Sequence, residues 1–390
     1  MARNDPIDIR HLREALRLAR RSTGQTSPNP LVGAVLARGT EVIGKGWHRR
    51  AGNPHAEIEA FRDAEARGND VRGATLYVTL EPCSTHGRTP PCTDAILRSG
   101  VVRVVVAASD PNPRHAGRGF ELLRAAGIAV EHGILAEESN RMNEAFNHWI
   151  VHRTPFVTAK AAMTLDGKIA TASGESKWIT GPRSRAHALR LRLEADATLV
   201  GIGTVLADDP SLTVRPAPGF RPPRWFPPKR RIVLDSQARI PLRSRLLTDG
   251  FHDRTFIVVS GAAPAGRIAA LRERVTVLES PSRDGRPDPV WLMSELGRIG
   301  VTHLLVEGGG EVLATFFEAG LVHRTAFFYA PKVLGGRDDR KAVAGEGFRS
   351  LESAPVLGGL ETRRFGEDLF VTARVRRPDS PKAEPTSPGS

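Results

Sequence analysis

At 390 residues the chain is long enough for two ordinary domains, and a single core of that size would be unusual. Hydrophobic residues at 40% with 25% charged describe a soluble globular protein, no apolar run is long and uncharged enough to span a bilayer, and Met-Ala-Arg-Asn-Asp-Pro at the start has no apolar signal segment. A net charge of +13 raises the question of nucleic acid, but the arginines are spread along the chain, aromatic content is 6%, and no basic–aromatic interleaving of the single-strand-binding kind is present.

The first half alternates strands and helices. Apolar residues Ile9, Leu12, Leu16 and Ala19 recur at one-face helical spacing and predict a helix over 8–21. A strand pair is expected at 32–36 and 41–46 around Arg38-Gly39, then a helix over 55–66 with His55 and Glu57 on its first turn. The strand expected at 75–79 runs into Glu81-Pro82-Cys83, and Pro91-Cys92 opens a helix to Arg98. Strands at 101–107 and 129–131, with a helix over 119–126 between them, extend the pattern, and a helix over 140–151 closes it. Such alternation implies a layered α/β domain with helices on both faces of a sheet.

His55, Cys83 and Cys92 can supply three ligands to a tetrahedral Zn²⁺, leaving the fourth position for water. An isolated His-x-Glu is common, and two cysteines in a long chain are most often buried as small apolar residues. Here they are the only two, both lie in the short stretch Glu81 to Cys92, and a disulfide, though allowed by spacing, has no secretory signal to favour it. Metal ligation is therefore the reading, and it makes a reducing cytoplasm the expected compartment. Glu57 cannot easily share that metal but can reach the water and move its protons. That is the division of labour of a zinc nucleobase deaminase. Both metal-bearing segments open helices, where the positive dipole end favours thiolate.

Gly46-Trp-His-Arg-Arg-Ala-Gly-Asn-Pro-His-Ala-Glu57 and Thr79-Leu-Glu-Pro-Cys-Ser-Thr-His-Gly-Arg-Thr-Pro-Pro-Cys92 resemble the deaminase half of the bifunctional riboflavin-biosynthesis deaminase–reductases. The long gap between the cysteines separates that family from deaminases with Pro-Cys-x-x-Cys. Ser27-Pro-Asn-Pro-Leu-Val-Gly33 resembles the family's substrate-facing loop. One departure is Thr85 after Cys-Ser, where the family commonly has His; here His86 follows.

Thr154-Pro155 marks a boundary because proline biases the preceding residue away from helix, and a strand is expected from Phe156 to Ala161. The stretch 216–229 reads as a loop, and the tail from Arg377 has almost no apolar content and is expected to be disordered. The domains expected are 1–152, 153–376 and the tail 377–390. Three segments of the second half are informative: Lys160 to Lys168 with Ser173 to Thr180, Val200 to Arg215, and Leu305-Val-Glu-Gly-Gly-Gly-Glu311 opening an apolar helix. A strand ending in glycines before a helix lets backbone N–H groups approach phosphate. It is not G-x-G-x-x-G, so no Rossmann fingerprint is present.

In this order the three segments, continued by Ala330-Pro-Lys-Val-Leu-Gly-Gly336, resemble the reductase half of the same family, so the resemblance covers about Ile9 to Val375. It implies a cytidine-deaminase-like three-layer α/β/α domain followed by a dihydrofolate-reductase-like α/β domain. It places Ala162, Trp178, Thr204, Asp208, Ser236 and the run Gly309, Gly310, Glu311, Val312, Leu313, Ala314 and Thr315 on an NADPH site. Ser176, Arg192, Leu212, Arg215 and Glu307 fall on the substrate site, with arginines able to pair a ribose 5-phosphate. His323, where the family has Asp, lies outside these assignments. Lys160 and Asp166 are candidates for orienting ribose hydroxyls. The expected activity is zinc-dependent deamination and NADPH-dependent reduction of a phosphoribosylated pyrimidine by a homo-oligomer, with neither nucleic acid nor membrane as partner. The alternatives are a zinc deaminase whose second half binds RNA, and a catalytically dead binding protein, against which the intact His-x-Glu and both cysteines argue.

Overall fold

The computed structural model describes residues 5–85, 90–113 and 115–376. His86 and the tail 377–390 lie outside the described residues. The chain divides into two compact units. The first is Met1–Phe156 with Pro223–Pro227 and Leu296–Thr302, and the second is Val157–Pro222, Pro228–Glu295 and His303–Ser390.

In the first unit the order is α1 (Pro6–Ala19), β1 (Gly33–Arg38), β2 (Glu41–Trp47), α2 (Ala56–Ala66), β3 (Thr75–Leu80), α3 (Cys92–Ser99), β4 (Arg103–Ala108), α4 (Arg118–Ala125), β5 (Ala129–His132), α5 (Ala136–Met142) and α6 (Glu144–His152). The first helix starts earlier than its apolar spacing suggests because Asp5 caps it, accepting from the Ile7 N–H at 2.8 Å, with Pro6 in the first turn. The sheet order is β2-β1-β3-β4-β5, antiparallel where β1 meets β2 and β3 and parallel from β3 to β5.

Strand periodicity makes the three layers. Val35, Ala37, Tyr77, Val105 and Ala107 point to one face and bury against Leu12, Ala15 and Leu18 of α1. Their neighbours Ala34, Leu36, Leu76, Val78, Val104 and Val106 point to the other, against Ala56, Ala60 and Ala64 of α2, Ile96 of α3 and Leu123 of α4. The closing helix expected over 140–151 is two helices. Asn143 separates them because its side chain serves the Leu31 backbone instead, accepting from the Leu31 N–H at 2.7 Å and donating to the Leu31 carbonyl at 2.9 Å.

The second unit runs β6 (Phe156–Thr164), β7 (Lys168–Ala170), α7 (Pro182–Glu194), β8 (Ala197–Gly201), α8 (Ile202–Asp208), β9 (Arg230–Leu234), α9 (Arg245–Thr248), β10 (Thr255–Ser260), α10 (Ala265–Arg272) and β11 (Thr276–Ser280). It continues with β12 (Ser282–Arg283), β13 (Arg286–Pro287), α11 (Pro289–Arg298), β14 (His303–Val306), α12 (Gly310–Glu318), β15 (Arg324–Ala330), β16 (Arg340–Lys341), β17 (Val356–Phe365) and β18 (Asp368–Arg376). Nine strands form one sheet in the order β11-β10-β9-β8-β14-β6-β15-β18-β17. Neighbours from β11 to β14 are parallel, as are β6 and β15, and β18 and β17 add antiparallel strands at one edge. After β8 the chain moves to β9 on one side, whereas after β14 it moves toward β15 on the other. Adjacent parallel strands whose connections diverge leave a crevice at their carboxyl ends, the place where open α/β sheets bind ligands.

One close contact carries the first unit's site. A Cβ on Gly44 would lie 2.5 Å from the Ala60 carbonyl oxygen, and one on Gly46 would lie 2.2 Å from that of Ala56. Two glycines on β2 facing three alanines on α2 bring backbone against backbone, and α2 begins with His55 and Glu57. Gly46→Ala should therefore push α2 off the sheet. It should cost about 1–3 kcal/mol, read as a fall in Tm of roughly 2–4 °C per kcal/mol, with less metal retained by the purified protein.

Candidate metal centre and reductase cleft

His55 is the N-cap of α2, Cys92 is the first residue of α3, and Cys83 lies in the loop after β3. Thr93 pins that loop by donating from its backbone N–H and its hydroxyl to the Cys83 carbonyl, at 3.2 and 3.3 Å. His55 Nδ1 is 3.2 Å from Cys92 Sγ and 3.5 Å from Cys83 Sγ, and the three ligand atoms lie within 4.8 Å of one another. Tetrahedral Zn²⁺ at ordinary bond lengths separates a nitrogen and a sulfur ligand by about 3.6 Å. One imidazole and two thiols already gathered at that spacing fit the ion.

The protons are placed accordingly. The hydrogen bond from Cys92 and the nearby His55 pull the Cys83 thiol down to about 4, while the same bond and burial push Cys92 up. The bond to Cys83 raises His55. These shifts favour sulfur as thiolate beside a protonated imidazole, and a divalent cation held by the three side chains would take that proton's place.

Glu57 is 3% exposed, and burial, then the Cys83 charge, push its carboxyl up to about 7. It lines a cavity of about 200 Å³ together with His55, Cys83, Asn29, His48 and Asp110. Asn29 lies in the loop whose sequence resembles a substrate-facing segment; His48, Glu81 and Asp110 carry no assignment from sequence. His48 Nδ1 donates to the Pro54 carbonyl at 3.1 Å, which leaves Nε2 to accept from the Asn29 amide at 3.0 Å. Burial lowers the His48 pKa, so the ring stays neutral in that tautomer. The available signal was position: His48 follows the last residue of β2 and precedes the loop into α2.

The second unit holds two adjoining pockets of about 730 and 480 Å³ that share Ile169, Ser176, Thr204, Asp208 and Gly309. They occupy the crevice beyond the ends of β8 and β14. Thr204, Asp208, Ser236, Gly309, Gly310, Glu311, Val312 and Thr315 line the larger pocket. Ala162, Trp178, Leu313, Arg192, Arg215 and Glu307 line the smaller. Leu212 and Ala314, each 2% exposed, line neither.

The glycines divide their work. Gly308 has φ 92°, which favours glycine. A Cβ on Gly310 would strike the Lys341 carbonyl at 2.3 Å, so that glycine serves packing. At Gly309 the nearest atom to a Cβ would be Thr204 Oγ1 at 3.8 Å, so this backbone is open to the cleft at the N-terminus of α12. Arg239, Arg286, Arg340 and Lys341 bring positive charge to the same pocket. Open backbone at a helix N-terminus with cations around it fits the phosphates of a dinucleotide.

In the smaller pocket Arg192 is half-buried and grips Glu307 with two bonds, Nε to Oε1 at 2.6 Å and Nη2 to Oε2 at 2.9 Å, and Lys160 Nζ is 3.6 Å from Oε2. Burial alone would raise Glu307, but Arg192 and Lys160 outweigh it and hold the carboxyl down at about 2. Arg192 is thus engaged with Glu307, whereas Arg215 is exposed and bonded only weakly to Ser211 Oγ at 3.3 Å. Asp166 lines neither pocket. It accepts from Thr164 Oγ1 and from the backbone N–H groups of Leu334 and Gly335, and so fastens the Ala330 to Gly336 segment.

Metal analysis of the purified protein should find about one Zn²⁺ per chain. Cys83→Ser should lose most of it, and Glu57→Gln should keep it, because the carboxylate is not one of the three gathered ligands.

Comparison with known proteins agrees with both halves. Residues 155–371 match the family described as RibD C-terminal domain, and residues 6–108 match the cytidine and deoxycytidylate deaminase zinc-binding region. The chain is 41% identical to riboflavin biosynthesis protein RibD of Aquifex aeolicus (strain VF5), over 94% of this chain and 98% of that protein. It is 40% identical to RibD of Escherichia coli (strain K12), over 93% and 98%. The solved structure of Acinetobacter baumannii RibD is similar with TM-score 0.82 at 32% identity, covering 95% of this chain and 99% of that one. A diaminohydroxyphosphoribosylaminopyrimidine deaminase/5-amino-6-(5-phosphoribosylamino)uracil reductase from Thermotoga maritima gives TM-score 0.80 at 32% identity, with the same coverage. No described helix is long and apolar enough to cross a membrane. A zinc-deaminase region ahead of a RibD C-terminal domain, with relatives matched nearly end to end, places the chain in the RibD family of bifunctional riboflavin-biosynthesis enzymes.

Proposed function

We propose that residues 1–152 hydrolyse the 2-amino group of 2,5-diamino-6-(5-phosphoribosylamino)pyrimidin-4(3H)-one, and that residues 153–376 reduce the ribosyl group of 5-amino-6-(5-phosphoribosylamino)uracil to ribityl with NADPH. The observation that carries the reading is the gathering of His55, Cys83 and Cys92 around one cavity with the buried Glu57 carboxyl. When bound there, zinc supplies Lewis-acid activation of water. Glu57 relays one proton of the attacking water to the ring nitrogen and the second to the departing amine, so that C–N cleavage releases ammonia and leaves a carbonyl. A carboxyl with its pKa near neutrality is suited to both taking and giving that proton. The neutral His48, fixed by Pro54 and Asn29, gives this cavity a polar wall that does not add charge.

In the second unit NADPH supplies the hydride when bound. Gly309 and the cations of the larger pocket receive its phosphates. In the smaller pocket Glu307, ionised and fixed by Arg192, accepts from ribose hydroxyls, Lys160 donates beside it, and Arg215 meets the 5-phosphate. The reading extends to a cytoplasmic homo-oligomer that acts on small molecules and not on nucleic acid, with light scattering of the purified protein as the check on assembly. Its small-molecule part is supported by second-unit pockets of small-molecule size and by arginines spread along the chain without basic–aromatic interleaving.

Glu57→Gln should abolish ammonia release while reduction of pre-deaminated substrate persists, measured by a coupled assay with and without NADPH. Loss of both activities in a folded variant would mean one composite site. Gly309→Val should fold, since its Cβ has room, yet weaken NADPH by about tenfold or more because the side chain occupies the phosphate approach. Fluorescence titration with NADPH reads it, and unchanged affinity would place the cofactor elsewhere.

A further inference from the structure

Glu81 precedes the ligand loop, is 6% exposed, and lines the metal cavity. Its own N–H donates to the Ala108 carbonyl at 2.9 Å, at the end of β4. Its carboxylate accepts three backbone N–H bonds from the segment that follows that strand. Oε2 takes those of Asp110 at 3.1 Å and Gly117 at 3.0 Å, and Oε1 takes that of Gly119 at 2.9 Å. The segment is pressed close, for a Cβ on Gly119 would lie 2.5 Å from the Pro82 carbonyl oxygen. The first residue held this way, Asp110, has its half-buried side chain in the cavity with Glu57 and His48. Its Oδ1 accepts from the Asn112 N–H at 2.9 Å.

A loop usually satisfies its own N–H groups by turns or water. Here an acceptor-only group brought in by the metal-ligand loop satisfies three of them at once, and an amide in its place would set an NH₂ against at least one N–H. We propose that Glu81 is a positioning residue for the deamination: it clamps the backbone at Asp110, Gly117 and Gly119 so that the Asp110 carboxylate faces the N–H edge of the pyrimidine. The diaminopyrimidinone presents ring and amino N–H donors, and a carboxylate can only accept, so the pairing selects that edge. Glu81 acts through Asp110 and does not touch the reacting atoms.

The inference rests on the deaminase reading, and the test separates the two: a wild-type protein that releases no ammonia would sink both, whereas a wild-type protein that deaminates and variants that keep its KM would sink this inference alone. Steady-state deamination and zinc content are measured for Glu81→Gln, Asp110→Asn and the double variant of the full chain. Each single variant is expected to keep about one zinc and to raise KM roughly tenfold, with kcat changed far less. The double variant should be no worse than the more affected single, because both changes remove one arrangement. Reduction of pre-deaminated substrate should be unaltered. Gly119→Ala, which keeps Glu81 but displaces the N–H it receives, should give the same rise in KM if Glu81→Gln does not fold. An unchanged KM in the folded Glu81→Gln protein, effects that multiply in the double variant, or a loss of activity that tracks lost zinc would each overturn the proposal.

Discussion

Backbone contact between β2 and α2 is the constraint on which the metal centre depends. A helix can approach a strand this closely only where side chains are reduced to hydrogen and methyl, and Gly44 and Gly46 opposite Ala56, Ala60 and Ala64 meet that condition. The result is a helix start fixed to a fraction of a side chain's length. Imidazole, carboxyl and thiol groups then converge without any long side chain having to search for its place, so little rotamer freedom remains to be lost when a metal arrives.

Both halves use the carboxyl ends of buried strands in the same way. In the first unit β3 delivers Cys83 and β4 delivers Asp110; in the second β8 delivers Thr204 and β14 delivers Glu307. Buried parallel strands supply rigid floors, and the loops beyond them are free to carry polar groups. Glu307 shows the electrostatic side of this plan. An isolated carboxylate so deeply buried would take up a proton, yet Arg192 grips it on two sides and keeps it ionised.

Much of this was legible in the sequence because it rests on local signals. Near-continuous apolar runs along β3 and β4 mark strands buried on both faces, and the metal ligands stand out as the only cysteines in the chain, beside a His-x-Glu. The rest depends on distance in space. Nothing near Arg192 in the chain announces Glu307, 115 residues away, so the ion pair between two residues expected at one site becomes visible only in the fold. Asn143 reads as a helix residue until Leu31, 112 residues earlier, takes both ends of its amide. Asp166 reads equally well as a ligand and as a turn residue, and its bonds to Leu334 and Gly335, far along the chain, have no local signal. The glycine run reads as one phosphate cradle, whereas Gly310 answers to packing and Gly309 to the cleft.

The two thiols of this chain are both gathered at the metal, with none elsewhere in the sequence. Thiol chemistry is therefore silent about the rest of the protein. A sulfhydryl reagent added to native material has no background to report, and every two equivalents it consumes count one centre whose ion has been lost. The chain thus carries its own occupancy gauge.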